Sequence, residues 1–133
     1  MKRLLILLAL MLAGSPLFAQ NVYYATNSSH SSEVAAAAAK LATSTGGSVT
    51  GFNSGINAEW ATALAGASVI LIGQNAETGS VDAPTRANIT AWVSAGGALL
   101  VLRDSPNLTL ANDVLGTTMT LGSQHSTGAQ YDT

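Results

Sequence analysis

Two short and unbroken apolar runs, each placed after a helical pattern, constrain the fold of this chain more than any other feature. Residues 69–72 read VILI, and residues 98–102 read ALLVL. Runs of this kind are typical of strands that are buried on both faces of a parallel sheet. We therefore expect both runs to be inner strands of a sheet that helices cover on its two sides.

The N-terminal half carries a similar alternation of strand and helix signals. The alanine-rich segment 31–45 is predicted to be a helix, because alanine is the best helix former and Glu33 lies favourably in the first turn. Two serines at its start are residue types that cap helices, and a Gly-Gly pair stops it. A β-rich run at residues 21–26 precedes this helix, and a weaker strand is predicted over residues 48–53.

Two further helices are predicted in front of the apolar runs. Asn57 is expected to cap a short helix in which Trp60 and Leu64 lie on one face. Asp82 is expected to cap the next helix, with Pro84 in its first turn. The inner stripe of that helix follows an i, i+3, i+4 spacing and consists of Ile89, Trp92 and Val93.

The alternation of strands and helices predicts the fold class. It implies right-handed βαβ units and a mostly parallel sheet. We expect a flavodoxin-like α/β three-layer sandwich with strand order 2-1-3-4-5 and a crevice between the first and third strands. Residues 108–115 resemble a short helix, and residues 117–121 (TTMTL) alternate like an edge strand. This C-terminal part is too thin to complete the sheet, so a missing last helix and strand remain an open alternative.

Residues 1–19 have the layout of a secretory signal peptide. Two basic residues open the chain, residues 4–13 form a short apolar core, and Ala19 is a small residue at the expected cleavage point. The apolar core is too short for a transmembrane anchor, which needs about 20 apolar residues. We expect export to the periplasm, the cell surface or the medium, an α/β domain over residues 20–122, and an irregular tail over residues 123–133.

The composition of the mature chain excludes several classes of partner. Cleavage leaves three basic residues against seven acidic ones, a formal net charge of −4. This charge disfavours nucleic acid and anionic membrane surfaces. The chain has no cysteine, so it has neither disulfides nor a thiolate for catalysis or soft metals. No phosphate-binding glycine loop and no metal-ligand spacing around His30 or His125 occurs, so we expect no cofactor and no metal.

Polar residues follow three of the predicted strands, at the edge where ligands bind in open α/β sheets. They are Asn27, Ser28 and His30 after the first strand, Gln74 and Asn75 after the third, and Arg103 and Asp104 after the fourth. Serine, asparagine and the N–H groups at a helix start suit a small polar or anionic ligand. Arg103 would hold an anionic group, and Asp104 would accept from a hydroxyl. The structural alternative is that these residues only cap helices, form turns or make a local ion pair.

Three segments of the chain resemble one known superfamily. They are VYYATNSSH, ATALAGASVILIGQN and ITAWVSAGGALLVLRDSPNLTLANDVLG, and they fall within residues 21–116. They are similar to the class I glutamine amidotransferase-like superfamily, above all to its non-amidotransferase branches, the DUF4350-like and ThuA-like domains. The resemblance implies that a helix feeds a strand through Gly96 and Gly97, and that a tight elbow follows, where true amidotransferases carry a catalytic cysteine.

The chain departs from that superfamily at the elbow. The corresponding turn is residues 103–106 (RDSP), which contains no cysteine, so glutaminase activity is not implied. Ser105 is a poor substitute, because Pro106 has no N–H to complete an oxyanion hole. The favoured interpretation of Ser105 and Pro106 is a turn that starts the next helical segment.

These observations predict an exported, non-catalytic α/β domain. It would bind a small polar or carbohydrate-like ligand, or a protein partner, at the carboxyl ends of its strands. The alternative is a hydrolase-type enzyme on a sugar-derived or amide substrate, with His30 and Asp104 as its catalytic candidates. A third hypothesis is a degenerate scaffold without any site.

Overall fold

A computed structural model describes residues 19–74, 76, 78–101 and 105–120, apart from the side chains of residues 105 and 106. Within these residues strands and helices alternate along the chain. The strands are β1 (Val22–Ala25), β2 (Val49–Phe52), β3 (Val69–Ile72) and β4 (Ala98–Val101). The helices are α1 (Ser31–Thr45), α2 (Asn57–Gly66), α3 (Ala83–Ser94) and α4 (Ser105–Leu115), and a single 3-10 turn spans Thr78–Ser80.

The four strands form one parallel sheet in the order β2-β1-β3-β4. Val22 lies opposite Val49 on one side and opposite Val69 on the other, and Val69 in turn lies opposite Ala98. The described residues thus confirm a parallel α/β sheet with the predicted order of its first four strands. They contain no fifth strand, so the flavodoxin-like sandwich is incomplete within them.

The sheet buries a different core on each face, which makes the molecule three-layered. On one face, Val22 and Val69 pack against Ala38 and Ala42 of α1. The other face packs against α2, α3 and α4. Its buried residues are apolar and larger on average: Ala25, Phe52, Trp60, Ala63, Ile70, Ile72, Ala76, Val81, Ile89, Leu110 and Val114.

Local signals account for the ends of two helices. Gly46 follows α1 in the left-handed conformation, with φ of 73°, and its N–H reaches back to the carbonyl of Thr43. The Asp82 carboxylate caps α3 by accepting from the Thr85 N–H at 2.8 Å, and Pro84 lies in the first turn. The predicted bounds of α1 and the predicted cap of α3 are both confirmed.

Two predicted helix caps are wrong. The residue before α1 is His30 and not a serine, and the residue before α2 is Ile56 and not Asn57; neither forms a side-chain cap. The Ser32 hydroxyl donates to the Glu33 carboxylate at 2.8 Å. The Asn57 side chain accepts from the backbone N–H of Asp82 at 3.1 Å. In each case a nearer or tertiary partner takes the group that was expected to cap the helix.

The prediction that β4 is buried on both faces is also wrong. Ala98 and Leu100 are exposed, and Leu100 keeps 51% of its accessible surface. The strand lies at the edge of the sheet, and α1 packs mainly on β1. As a result no helix among the described residues covers β4 on the α1 face. Leu102, the last residue of the predicted strand, lies outside the described residues.

The C-terminal part follows one prediction and departs from another. The helix predicted over residues 108–115 exists within α4, which begins at Ser105. Residues 117–120 do not form the predicted edge strand. The Asn112 side chain instead accepts from the Thr117 hydroxyl and the Met119 N–H, both at 2.9 Å, and closes a turn. Residues 1–18 and 121–133, with the predicted leader core and tail, lie outside the described residues.

Candidate functional site

The loops that follow β1 and β3 touch each other, as expected for the crevice between these strands. The backbone N–H of Ser29 donates to the carbonyl oxygen of Gln74 at 2.9 Å. Gly73 packs so closely on Ser28 that a Cβ atom at position 73 would overlap the serine side chain. Of the predicted site residues, the fold therefore brings Ser28 and Gln74 into one neighbourhood.

Ser28 and Asn27 use their side chains to hold the protein's own loops. The Ser28 hydroxyl donates to the carbonyl of Ala25 at 3.3 Å. Asn27 turns towards the loop after β2, where its side-chain oxygen accepts from the N–H and the hydroxyl of Ser54, at 3.1 and 2.9 Å. Ser54 is fully buried, and its carbonyl accepts from the indole of Trp60 at 2.9 Å. The side-chain amide nitrogen of Asn27 is buried without a partner.

His30 stands exposed at the start of α1, beside Glu33. Its side chain is 58% exposed, and its Nδ1 atom lies 4.0 Å from a carboxylate oxygen of Glu33. Hydrogen bonds from the Ser32 hydroxyl and from its own backbone N–H lower the pKa of Glu33, with a further contribution from the charge of His30. The start of α1 thus already carries an anionic group of its own, which opposes the predicted anionic ligand.

The remaining candidates are placed only in part. Gln74 is exposed at the mouth of the crevice. Asn75, Arg103 and Asp104 lie outside the described residues, so their convergence with His30 stays a prediction.

An apolar groove of about 180 Å³ opens beside these loops, between α1 and strands β3 and β4. His30 and Glu33 stand at its polar end. The rest of its lining is aliphatic: Val34, Ala37, Leu71, Ile72 and Leu100. Sequence reasoning missed this groove, because it took the ALLVL run for a strand that helices cover on both faces.

A buried polar cluster supports the floor of the site from the opposite face of the sheet. The Asn107 side chain is fully buried, donates to the carbonyl of Gly73 at 2.8 Å and accepts from the Thr78 hydroxyl at 2.9 Å. Buried carbonyl groups need such partners, so Asn107 fixes the point at which the chain leaves β3. The only sequence signal for this role is an asparagine inside an otherwise apolar helix face.

Neither a metal centre nor a related protein defines the site further. The described residues contain no group of three or more His, Cys, Asp or Glu side chains that could hold a metal ion. None of the helices in the described part of the chain is long and apolar enough to cross a membrane. No family model matches the chain, and no curated protein and no solved structure is significantly similar to it.

Proposed function

We propose that the mature chain is an exported, non-catalytic binding domain that takes an apolar segment of a protein partner into the groove between α1 and strands β3 and β4. The observation that carries this proposal is the 51% exposure of Leu100 in a groove with an otherwise aliphatic wall. Exposed apolar surfaces of this kind mark sites of protein interaction.

The chemistry of the groove favours a protein segment over a carbohydrate-like ligand. Sugar hydroxyls need several convergent hydrogen-bonding groups. Within the described residues, the polar side chains of the groove are His30 and Glu33, both at one end. Ser28 and Asn27 already bond to the backbone and to Ser54. A partner with one or two aliphatic side chains and a polar group near them fits this arrangement.

The hydrolase alternative and the superfamily resemblance remain proposals of lower rank. The first needs Asp104 beside His30, and Asp104 lies outside the described residues. Export rests on the leader pattern of residues 1–19. Ala19 and Gln20 precede β1, so cleavage after Ala19 would leave every strand intact.

A peptide-binding experiment tests the groove. The full chain is expressed and purified, a library of eight-residue peptides is screened, and the dissociation constant of the selected peptides is measured by fluorescence anisotropy. Burial of a leucine side chain contributes about 1.5–3 kcal/mol. We therefore expect Leu100→Lys to weaken binding by about tenfold or more.

Val49→Lys is the matched control, because Val49 is an exposed aliphatic residue on the opposite edge strand, with 38% of its surface accessible. It should leave peptide binding unchanged. Selective binding of a sugar that Leu100→Lys does not affect would overturn the proposal. Export is tested separately, by N-terminal sequencing of the secreted protein, which should begin at Gln20.

A further inference from the structure

The two edges of the sheet differ in how they are protected. On the β2 edge, Thr50 is polar and Gly51 interrupts the strand. On the other edge, no strand of the described residues pairs with the outer side of β4. Residues 97–101 (GALLV) contain no charged residue and no proline, which are the usual devices that keep an exposed edge from pairing with another chain.

The outward-facing backbone groups of β4 can be assigned from its pairing with β3. The N–H of Ala98 donates to the carbonyl of Ser68 at 3.1 Å, so Ala98 directs its backbone groups towards β3. Alternate residues of a parallel strand bond to opposite neighbours. Leu99 and Val101 therefore present their N–H and C=O groups at the open edge, ready to pair with another strand.

The order of side-chain sizes along β4 is complementary to its own reverse. If a second copy lies antiparallel with Leu99 opposite Leu99, then Ala98 lies opposite Leu100 and Gly97 lies opposite Val101. Each large side chain then meets a small one. This register also pairs outward-facing residues with each other, so the two Leu99 residues exchange N–H to C=O bonds across the axis.

We propose that the partner at this edge is a second copy of the chain, joined β4 to β4 in that antiparallel register about a twofold axis. The result is a continuous eight-stranded sheet, and the two grooves become neighbours on one face. A symmetric contact of this kind uses the same patch on both copies. The uncharged edge allows it despite the net charge of −4 on each mature copy.

This inference rests on the proposed function, since it names a protein partner for the same face, but it depends on the backbone edge and not on the groove. The first measurement is sedimentation velocity of the purified full chain over a hundredfold range of concentration. A dimer whose fraction rises with concentration supports the inference. A monomer throughout overturns it, and peptide binding in the groove would then remain as a separate result.

The absence of cysteine allows a direct test of the register. Two single-cysteine variants, Ala98→Cys and Leu100→Cys, are mixed under mild oxidation. Directly opposite residues in an antiparallel pair have Cβ atoms about 4.5–5.5 Å apart, within reach of a disulfide. We expect the mixed 98–100 dimer to exceed either homodimer severalfold, and Thr50→Cys on the β2 edge to give no cross-link above background.

Other outcomes of the cross-linking overturn the register. A dimer that cross-links through Thr50→Cys places the contact at the wrong edge. A dimer with no preference for the mixed 98–100 pair contradicts the proposed alignment. If either cysteine variant fails to fold, the wild-type protein still tests the pairing, because β4 amide hydrogens should become protected from exchange as the dimer fraction rises.

Discussion

The buried side-chain amide of Asn107 donates to the carbonyl oxygen of Gly73 at 2.8 Å and thereby ties α4 to the end of β3. The same side chain accepts from Thr78 at 2.9 Å, in the 3-10 turn that follows. One asparagine thus positions the strand end beside which the groove opens. Its removal would leave two polar groups in the interior without their partner.

We expect Asn107→Ala to lower the free energy of unfolding by about 2–3 kcal/mol, the cost of buried polar groups that lose their hydrogen bonds. Urea denaturation followed by tryptophan fluorescence measures this change. Asn88→Ala is the control, because Asn88 is exposed on α3 and should change stability by less than about 0.5 kcal/mol. Equal effects of the two substitutions would contradict the role given to Asn107.

Contact between the loops after β1 and β3 predicts an energetic coupling between positions 28 and 73. A Cβ atom at Gly73 would overlap Ser28 and press on Val34. Gly73→Ala should therefore destabilise the protein by about 1–3 kcal/mol. Adding Ser28→Gly should restore part of this loss, with a coupling energy of at least about 0.5 kcal/mol in a double-mutant cycle.

The control for this cycle is Ser44→Gly, at the exposed far end of α1. Its effect should add to that of Gly73→Ala within about 0.5 kcal/mol. If the Ser28 cycle proves as additive as the Ser44 cycle, the two loops do not touch in solution as described.

The cap of α3 makes stability depend on pH in a defined direction. The hydrogen bonds from Thr85 lower the pKa of Asp82 below its ordinary value of 3.8. A carboxylate with a lowered pKa in the folded state stabilises the protein fully above its ordinary pKa, and this contribution is lost as the pH falls through the lowered value. The urea midpoint should therefore fall below pH 3.8 partly through Asp82.

Asp82→Asn isolates this contribution, because asparagine also caps helices but does not titrate in this range. We expect the difference in urea midpoint between the wild type and Asp82→Asn to be constant above pH 5 and to shift against the wild type below pH 3.8. A difference that stays constant down to pH 2 would show that the carboxylate of Asp82 is not stabilised in the folded protein.

His30 separates a structural role from a binding role. Its side chain makes no cap hydrogen bond to α1 and is 58% exposed. We expect His30→Ala to change the free energy of unfolding by less than about 0.5 kcal/mol and to weaken peptide binding in the groove severalfold. Thermal melting and anisotropy on the same samples measure both quantities. A large loss of stability with unchanged binding would return His30 to a purely structural role.

Helix and strand positions followed from the sequence wherever the deciding signal is local. The bounds of α1 depend on alanine propensity and on a glycine that adopts positive φ at residue 46. The cap of α3 depends on Asp82 and the N–H three residues later. These interactions involve neighbours in the chain, so residue types and their spacing are sufficient to predict them.

Predictions failed where the deciding partner is distant in the chain. Asn57 does not cap α2, because its side chain binds the backbone of Asp82, 25 residues away. The exposure of Leu100 depends on which face α1 covers and on which strand lies at the edge. Neither fact can be read from the ALLVL run, whose apolar character fits a covered strand and an open one equally well.

The candidate site divides in the same way. The meeting of the loops after β1 and β3 followed from the strand order. The roles of Asn27 and Asn107 did not, because both asparagines bond to groups that lie 27 or more residues away. An asparagine that holds a backbone and one that contacts a ligand look alike in a sequence.

The unequal cores on the two faces of the sheet have a consequence for how the molecule opens. α1 is held mainly by two alanines against Val22 and Val69, so its detachment exposes little apolar surface. The other three helices share a core with two aromatic side chains, Phe52 and Trp60, which pack edge to face at 5.0 Å. Partial unfolding therefore begins on the α1 side, and the groove widens in brief excursions that leave the sheet and its larger core intact.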